Sequence, residues 1–176
     1  WNPAGLARLE RPEFGASHAE LFAGSRLDSL AYAHPTGQGC FAVSATYLSQ
    51  PAIEGRDSTG RPTADFSASD AAISLSHARK FEAADIGGTF KYLRSHIASA
   101  EADSLAVDLG VRHRFGPLAI GAAGRNIGPG LKFDDERNDL PLRLALGASI
   151  QVAAAHTMAA EVRGNPRGGG IHAALG

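Results

Sequence analysis

The sequence predicts an all-β protein: an antiparallel up-and-down transmembrane β-barrel, seen as about nine strands and preceded by a short N-terminal helical segment. Three observations lead there. Apolar residues alternate with polar or small ones along stretch after stretch of roughly eight to eleven residues. From the third strand onward the connections between these stretches alternate between short and long, which matches the two rims of an outer-membrane barrel. No stretch has the length and period of a convincing long helix.

Composition narrows the classes. The hydrophobic fraction is 44% of 176 residues, but much of it is Ala, with 1 Trp, 1 Met and 21 Gly, so a thick soluble core is hard to fill. The formal net charge of -1 offers no basic footprint, and nucleic acid is not an expected partner. Cys40, without a second cysteine, reads as a small packed apolar residue. No window approaches the roughly 18 apolar residues of a membrane helix, and the opening WNPAGLARLERPEFG lacks a signal-peptide pattern. The chain therefore reads as one domain over residues 1–176, a fragment lacking a signal peptide and C-terminal strands.

Taken in order, Asn2 to Leu9 makes a short helical turn, with Asn2 as N-cap and Pro3 at the first helical position. Phe14 to Phe22 and Leu27 to His34 read as strands, followed by a tight turn at Pro35-Thr36-Gly37. Cys40 to Leu48 sets Phe41, Val43, Ala45 and Tyr47 against Ala42, Ser44 and Thr46. Residues 49–66, rich in Pro, Gly and charge, form a solvent-facing loop. Asp70 to His77 and Ile86 to Ile97 are strands joined by a short turn, the second placing Phe90 and Tyr92 opposite Lys91. Residues 99–103 read as another polar loop.

Leu105 to Phe115 sets Leu105, Val107, Leu109 and Val111 against Asp108, Gly110, Arg112 and Arg114, so one face carries three charges. Gly116-Pro117 turns into Leu118 to Asn126, and a long loop, Gly128 to Pro141, leads to Leu142 to Val152. There Leu142, Leu144, Leu146, Ala148, Ile150 and Val152 share a face, with Arg143, Ala145, Gly147, Ser149 and Gln151 opposite. Thr157 to Arg163 and Ile171 to Leu175 are the last runs. The same period also serves a soluble β-sandwich binding module, which is the alternative reading. The ordered alternation of connections favours the barrel, and Gly87, Gly110, Gly121 and Gly147 suit a wall that bends or that something packs against.

The polar face supplies the candidate site. Asp108, Arg112, Arg114, Arg125 and Arg143 are expected to face a lumen, where a charged ladder fixes a plug or lines a path. Asp134, Asp135 and Glu136 are expected in a solvated rim loop; their spacing departs from a calcium loop, and Arg137 interrupts them. The 7 histidines are scattered one to a segment without metal-ligand spacing. No nucleophile elbow is present, and the Gly-rich runs read as turns rather than phosphate loops. No catalytic, cofactor or metal set emerges, and an enzyme is not expected.

Three segments carry a family resemblance: NPAGLA near the start, GRNIGPGLKF from Gly124 to Phe133, and NDLPLRLALGAS from Asn138 to Ser149. In this order they resemble the PorV/PorQ-type outer-membrane proteins, relatives of the FadL-like barrels. The resemblance implies a barrel of about fourteen strands in a bacterial outer membrane, with an N-terminal segment at its lumen. It also implies contact with outer-membrane lipid, and either secretion-system components of the type IX kind or a hydrophobic ligand as partner. Fewer strands than that, and an end at Ala174-Leu175-Gly176 without a terminal aromatic strand, lead to the expectation of an incomplete barrel.

Overall fold

The computed structural model covers the full chain, and it describes residues 2–133, 136–153, 156–166, 168 and 170–176. The strands are β1 (Glu13–Glu20), β2 (Arg26–Thr36), β3 (Gly39–Ser49), β4 (Ala68–Lys80), β5 (Asp85–Ile97), β6 (Ala100–Phe115) and β7 (Leu118–Ile127), followed by β8 (Leu131–Phe133), β9 (Glu136–Asn138), β10 (Arg143–Ala153), β11 (His156–Gly164) and β12 (Ile171–Leu175). Ten of them form one sheet in the order β1-β2-β3-β4-β5-β6-β7-β10-β11-β12, each paired antiparallel to the next. β8 and β9 make a separate two-stranded ribbon. The sheet is open, with β1 and β12 at its edges.

The all-β antiparallel class and the meander are as the alternation predicts, with ten strands in the sheet where about nine are expected. Three local expectations change. The turn after β2 lies at Gly37-Gln38, because Pro35 stays in the ladder opposite Cys40. Residues 99–103 are not a loop: Ala98, at φ 56, and Ser99 turn the chain at once, and Glu101 and Asp103 continue the ladder opposite His96 and Arg94. Their charge is accommodated by pairing across the strands, Arg94 with Glu101 and the Tyr92 hydroxyl with Asp103. The third change is the β8–β9 ribbon, folded inside the expected loop Gly128 to Pro141.

The two faces of the sheet differ in volume. Among the described residues the buried apolar side chains are Ala4, Ala33, Cys40, Ala78, Ala102, Ala106, Ala119 and Leu140, a set with one bulky member. The bulky residues of the strands, among them Phe41, Val43, Ile73, Leu75, Phe90, Leu109, Leu146 and Ile150, are exposed on the opposite face. The buried polar residues Asp85, Lys91, Ser95, Ser104 and Asp108 share the face of the small ones.

That inner face holds the N-terminal segment. Pro3–Arg8 is a 3-10 helix capped by Asn2, whose side-chain oxygen accepts from the Ala4 N–H at 2.9 Å. The Asn2 amide also donates to the carbonyls of Val111 at 2.9 Å and Ala122 at 3.1 Å, tying the segment to β6 and β7. Glycines make the close seat possible. A Cβ on Gly87 would lie 2.5 Å from the Ala4 nitrogen, and one on Gly110 would lie 2.8 Å from Pro3 Cδ. At Gly121 it would lie 3.1 Å from the Asn2 amide nitrogen, whereas Gly147 has nothing nearer than the Ala160 carbonyl at 3.6 Å.

The backbone after Arg8 is held while residues 2–8 stay seated, by the Arg8–Asp85 ion pair and by the Leu9 N–H donating to the Leu6 carbonyl. Gly87→Val should displace the segment and cost about 1–3 kcal/mol of stability, as overpacking does. Limited trypsin digestion should then cut after Arg8 much faster than in the parent chain. Equal cleavage rates would show that the segment does not depend on the glycine seat.

Candidate functional site on the inner face

Two carboxylates organise the inner face. Asp85, at the start of β5, is 1% exposed and receives Arg8 Nε at 2.7 Å, with an Arg112 nitrogen at 3.5 Å. The pair explains how a charge can be buried beside a strand of small residues: the N-terminal segment brings its counter-ion. Asp108, in the middle of β6, is the second hub. Lys91 Nζ stands 2.6 Å from its Oδ1, the two side chains being 11% and 10% exposed.

A bulge in β7 completes the second hub. The β6–β7 register shifts between Val107 and Leu109, and Asn126 adopts φ 58, a left-handed conformation that Asn tolerates better than most residues. The Asn126 backbone N–H donates to Asp108 Oδ1 at 2.8 Å, and the Asn126 side-chain oxygen accepts from Lys91. Its amide nitrogen donates to the Pro141 carbonyl at 3.1 Å, anchoring the end of the long loop. Ser104 does the same at the loop's start, donating to the Pro129 carbonyl at 2.7 Å.

Arg125 is the other residue of that bulge, since it and Asn126 together stand opposite Asp108. Its Nε lies 3.7 Å from Asp108 Oδ2, too far for a hydrogen bond, and this nitrogen is buried without a partner. Arg143 stands directly opposite Arg125 on β10, exposed and with no ion pair among the described residues. Beyond it, on β11, Arg163 is 3.8 Å from Glu161. Arg112, Arg125, Arg143, Arg163, Glu161 and Asn2 line a cavity of about 660 Å3 whose floor includes Ala123, Ala145, Gly121 and Gly147.

The expected polar positions thus divide. Arg112, Arg125 and Arg143 line the cavity and Asp108 is buried beside it, so four of the five surround one space, and the register puts Arg114 on the same face. They do not form the single ladder expected: Asp108 binds Lys91, whereas Arg112 turns to Asp85. Arg114 lies apart, exposed two residues before the Gly116-Pro117 turn. Arg8, Asp85, Asn126, Glu161 and Arg163 were not singled out from the sequence. Alternation alone could have placed Glu161 and Arg163 on this face, since Gly147 opposes Glu161 and Ala145 opposes Arg163. Nothing in the local sequence could have joined Arg8 to Asp85.

At the rim, Asp134 and Asp135 lie outside the described residues, and Glu136 is exposed at the start of β9 opposite Phe133. The other long loop is ordered by Asp57. The Thr59 hydroxyl, then the backbone N–H groups of Arg61 and Thr59, donate to its carboxylate and hold its pKa below the usual 3.8. Among the described residues no group of three or more His, Cys, Asp and Glu side chains is placed to hold a metal ion. No family model matches the chain, and no curated protein matches it.

Removing one partner from a buried pair leaves the other charge stranded. Asp108→Asn should therefore cost about 3–5 kcal/mol in denaturant unfolding, whereas the double change Lys91→Met with Asp108→Leu should cost far less. A single variant as stable as the parent would remove Asp108 from its central role. Asp57 behaves as a depressed carboxyl: its contribution is complete above the unfolded value near 3.8 and is lost as pH falls through the lower folded value. The amide resonances of Thr59 and Arg61, followed by NMR from about pH 6 to about pH 2, should hold steady until below 3.8. A midpoint above that value for both would contradict the hydrogen-bonded turn.

Proposed function

We propose that this chain forms the wall of an outer-membrane β-barrel of the PorV/PorQ type, serving protein secretion or the passage of hydrophobic molecules, and that it is not an enzyme. The observation that carries the reading is the inversion of the sheet: its bulky apolar side chains are exposed, and the charged residues that it does bury, Asp85, Lys91 and Asp108, lie on the other face. A soluble sandwich would cover the apolar face with a second sheet. Among the described residues the other sheet is the short β8–β9 ribbon.

The dimensions of the apolar face agree with lipid. On β6 it runs from Leu105 to Phe115, which at ~3.3 Å per residue and the usual barrel tilt gives a belt of about 25 Å. Polar and aromatic groups border it. At one end stand Tyr92, Arg94, Glu101 and Asp103, linked across β5 and β6. At the other end rings pair beside the short turns: Phe41 with His77 at 4.4 Å, His113 with Phe115 at 4.0 Å, and Arg79 over Phe81 at 5.4 Å. Such girdles suit headgroup depth, where one end of a side chain is apolar and the other wet. Hydrophobic molecules would travel on the side of the inner face left open beyond the N-terminal segment, along β7, β10 and β11.

The two rims give the test. The long loop 50–67 belongs to one rim and the Gly37-Gln38 turn to the other, and the native Cys40 is buried. In a diderm bacterium exporting the chain, Ser58→Cys should react with an impermeant maleimide on intact cells. Gln38→Cys should react only after the outer membrane is permeabilised. If both react alike on intact cells, or both only after the inner membrane is broken, the membrane reading fails.

A further inference from the structure

Like charges directly across an antiparallel pair repel, and a sheet has no reason to place them there without something between them. Arg125 and Arg143 are such a pair, and Arg163 follows on the next strand, facing the same cavity. Among the described residues that space is lined by four cations, Arg112, Arg125, Arg143 and Arg163, and one carboxylate, Glu161, while beside it Asp85 is engaged by Arg8 and Asp108 by Lys91. Lys91 already takes Asp108 at 2.6 Å, which leaves Arg125 at 3.7 Å with its Nε buried and unpartnered. Arg143 has no counter-ion among the described residues.

We propose that Arg125, Arg143 and Arg163 form a binding site for a compact multivalent anion of the phosphate class. Guanidinium groups suit phosphate because their planar forks donate two parallel hydrogen bonds to adjacent oxygens. The unbalanced charge exceeds one, so a singly charged carboxylate would leave the site under-compensated. The floor of Ala123, Ala145 and Gly147 leaves a cavity of about 660 Å3, which is room for a pyrophosphate group with its waters. This site lies on the face read above as the lumen, and it adds a ligand class to that reading. A phosphate could arrive free or on a lipid headgroup; both present the same oxygens.

The probe is inorganic pyrophosphate, titrated calorimetrically into the chain folded in zwitterionic detergent, with chloride holding the ionic strength constant. Saturable binding is expected. Arg143→Gln and Arg163→Gln should each weaken it roughly tenfold or more, the loss of one charge-assisted contact. Arg143→Lys should retain part of the affinity, and Arg61→Gln, in the distant loop, all of it. Arg143→Gln removes a like-charge repulsion, so its fold should survive; a circular-dichroism melt verifies that, and Arg163→Gln carries the test should it not. Displacement of pyrophosphate by phosphatidate doped into the micelles would assign the headgroup as source, and its absence the free anion. Binding no stronger than that of chloride, equal binding of laurate, or indifference to both glutamine variants would overturn the proposal. None of those results bears on membrane topology, which the cysteine labelling reads separately.

Discussion

A strand has two faces, and this chain places most of its bulky apolar side chains on one of them. Everything else about the structure depends on that asymmetry. Because the inner face is built from Gly, Ala and Ser, a second piece of chain can lie against it, and residues 2–8 do so within contact of the backbone at Gly87 and Gly110. Because the bulky residues face the other way, the sheet has no oily interior of its own to close over. Its interior is polar, and polar interiors are held by pairing rather than by volume.

The pairing is concentrated at two carboxylates that hold different things. Asp85 fixes the N-terminal segment through Arg8 and reaches β6 through Arg112. Asp108 fixes the β7 bulge through the Asn126 N–H and binds Lys91 on β5, so that one side chain sets the relation of three strands. Buried ion pairs contribute little net stability compared with apolar packing. Their effect here is on arrangement: without Asp108 there is no reason for β7 to bulge at Asn126, and without the bulge Asn126 would not reach Pro141 to hold the long loop. The hubs also determine which arginines are left over. Asp108 is engaged by Lys91, so Arg125, which lines the cavity, keeps a buried Nε without a hydrogen-bond partner.

The architecture was legible in the sequence because period-2 alternation reports directly on which face a residue occupies. Leu142 to Val152, Leu105 to Phe115 and Cys40 to Leu48 all carry it, and the N-cap at Asn2 was legible from Asn-Pro alone. Residues 99–103 misled because charge at the end of a strand looks like charge in a loop; only the opposite strand, with Arg94 and Tyr92 in register, shows that it is paired. The candidate arginines were placed on the right face but in the wrong company. Alternation gives the face of Arg112 and Asp108, whereas their partners, Asp85 and Lys91, depend on register and on an N-terminal segment that contacts residues far along the chain. Arg163 is legible by the same rule, at the end of the alternating run Thr157 to Arg163.

The edges carry the last step. β1 and β12 present unpaired backbone on either side of the sheet, and in a bilayer each unpaired group costs several kcal/mol. An apolar outer face and open edges are therefore compatible with lipid only if both edges are paired. The meander limits how. Ten strands, each antiparallel to the last, leave β1 and β12 running in opposite directions. They can pair with each other, or an even number of further strands can stand between them, and in either case every ladder stays antiparallel. An odd number would force one parallel pair into a wall that otherwise has none. The basic row lies close to one of these edges, since Arg163 on β11 opposes His172 on β12. Whatever paired with β12 would therefore become a wall of the cavity that Arg125, Arg143 and Arg163 line, so closing the sheet would also complete the proposed site.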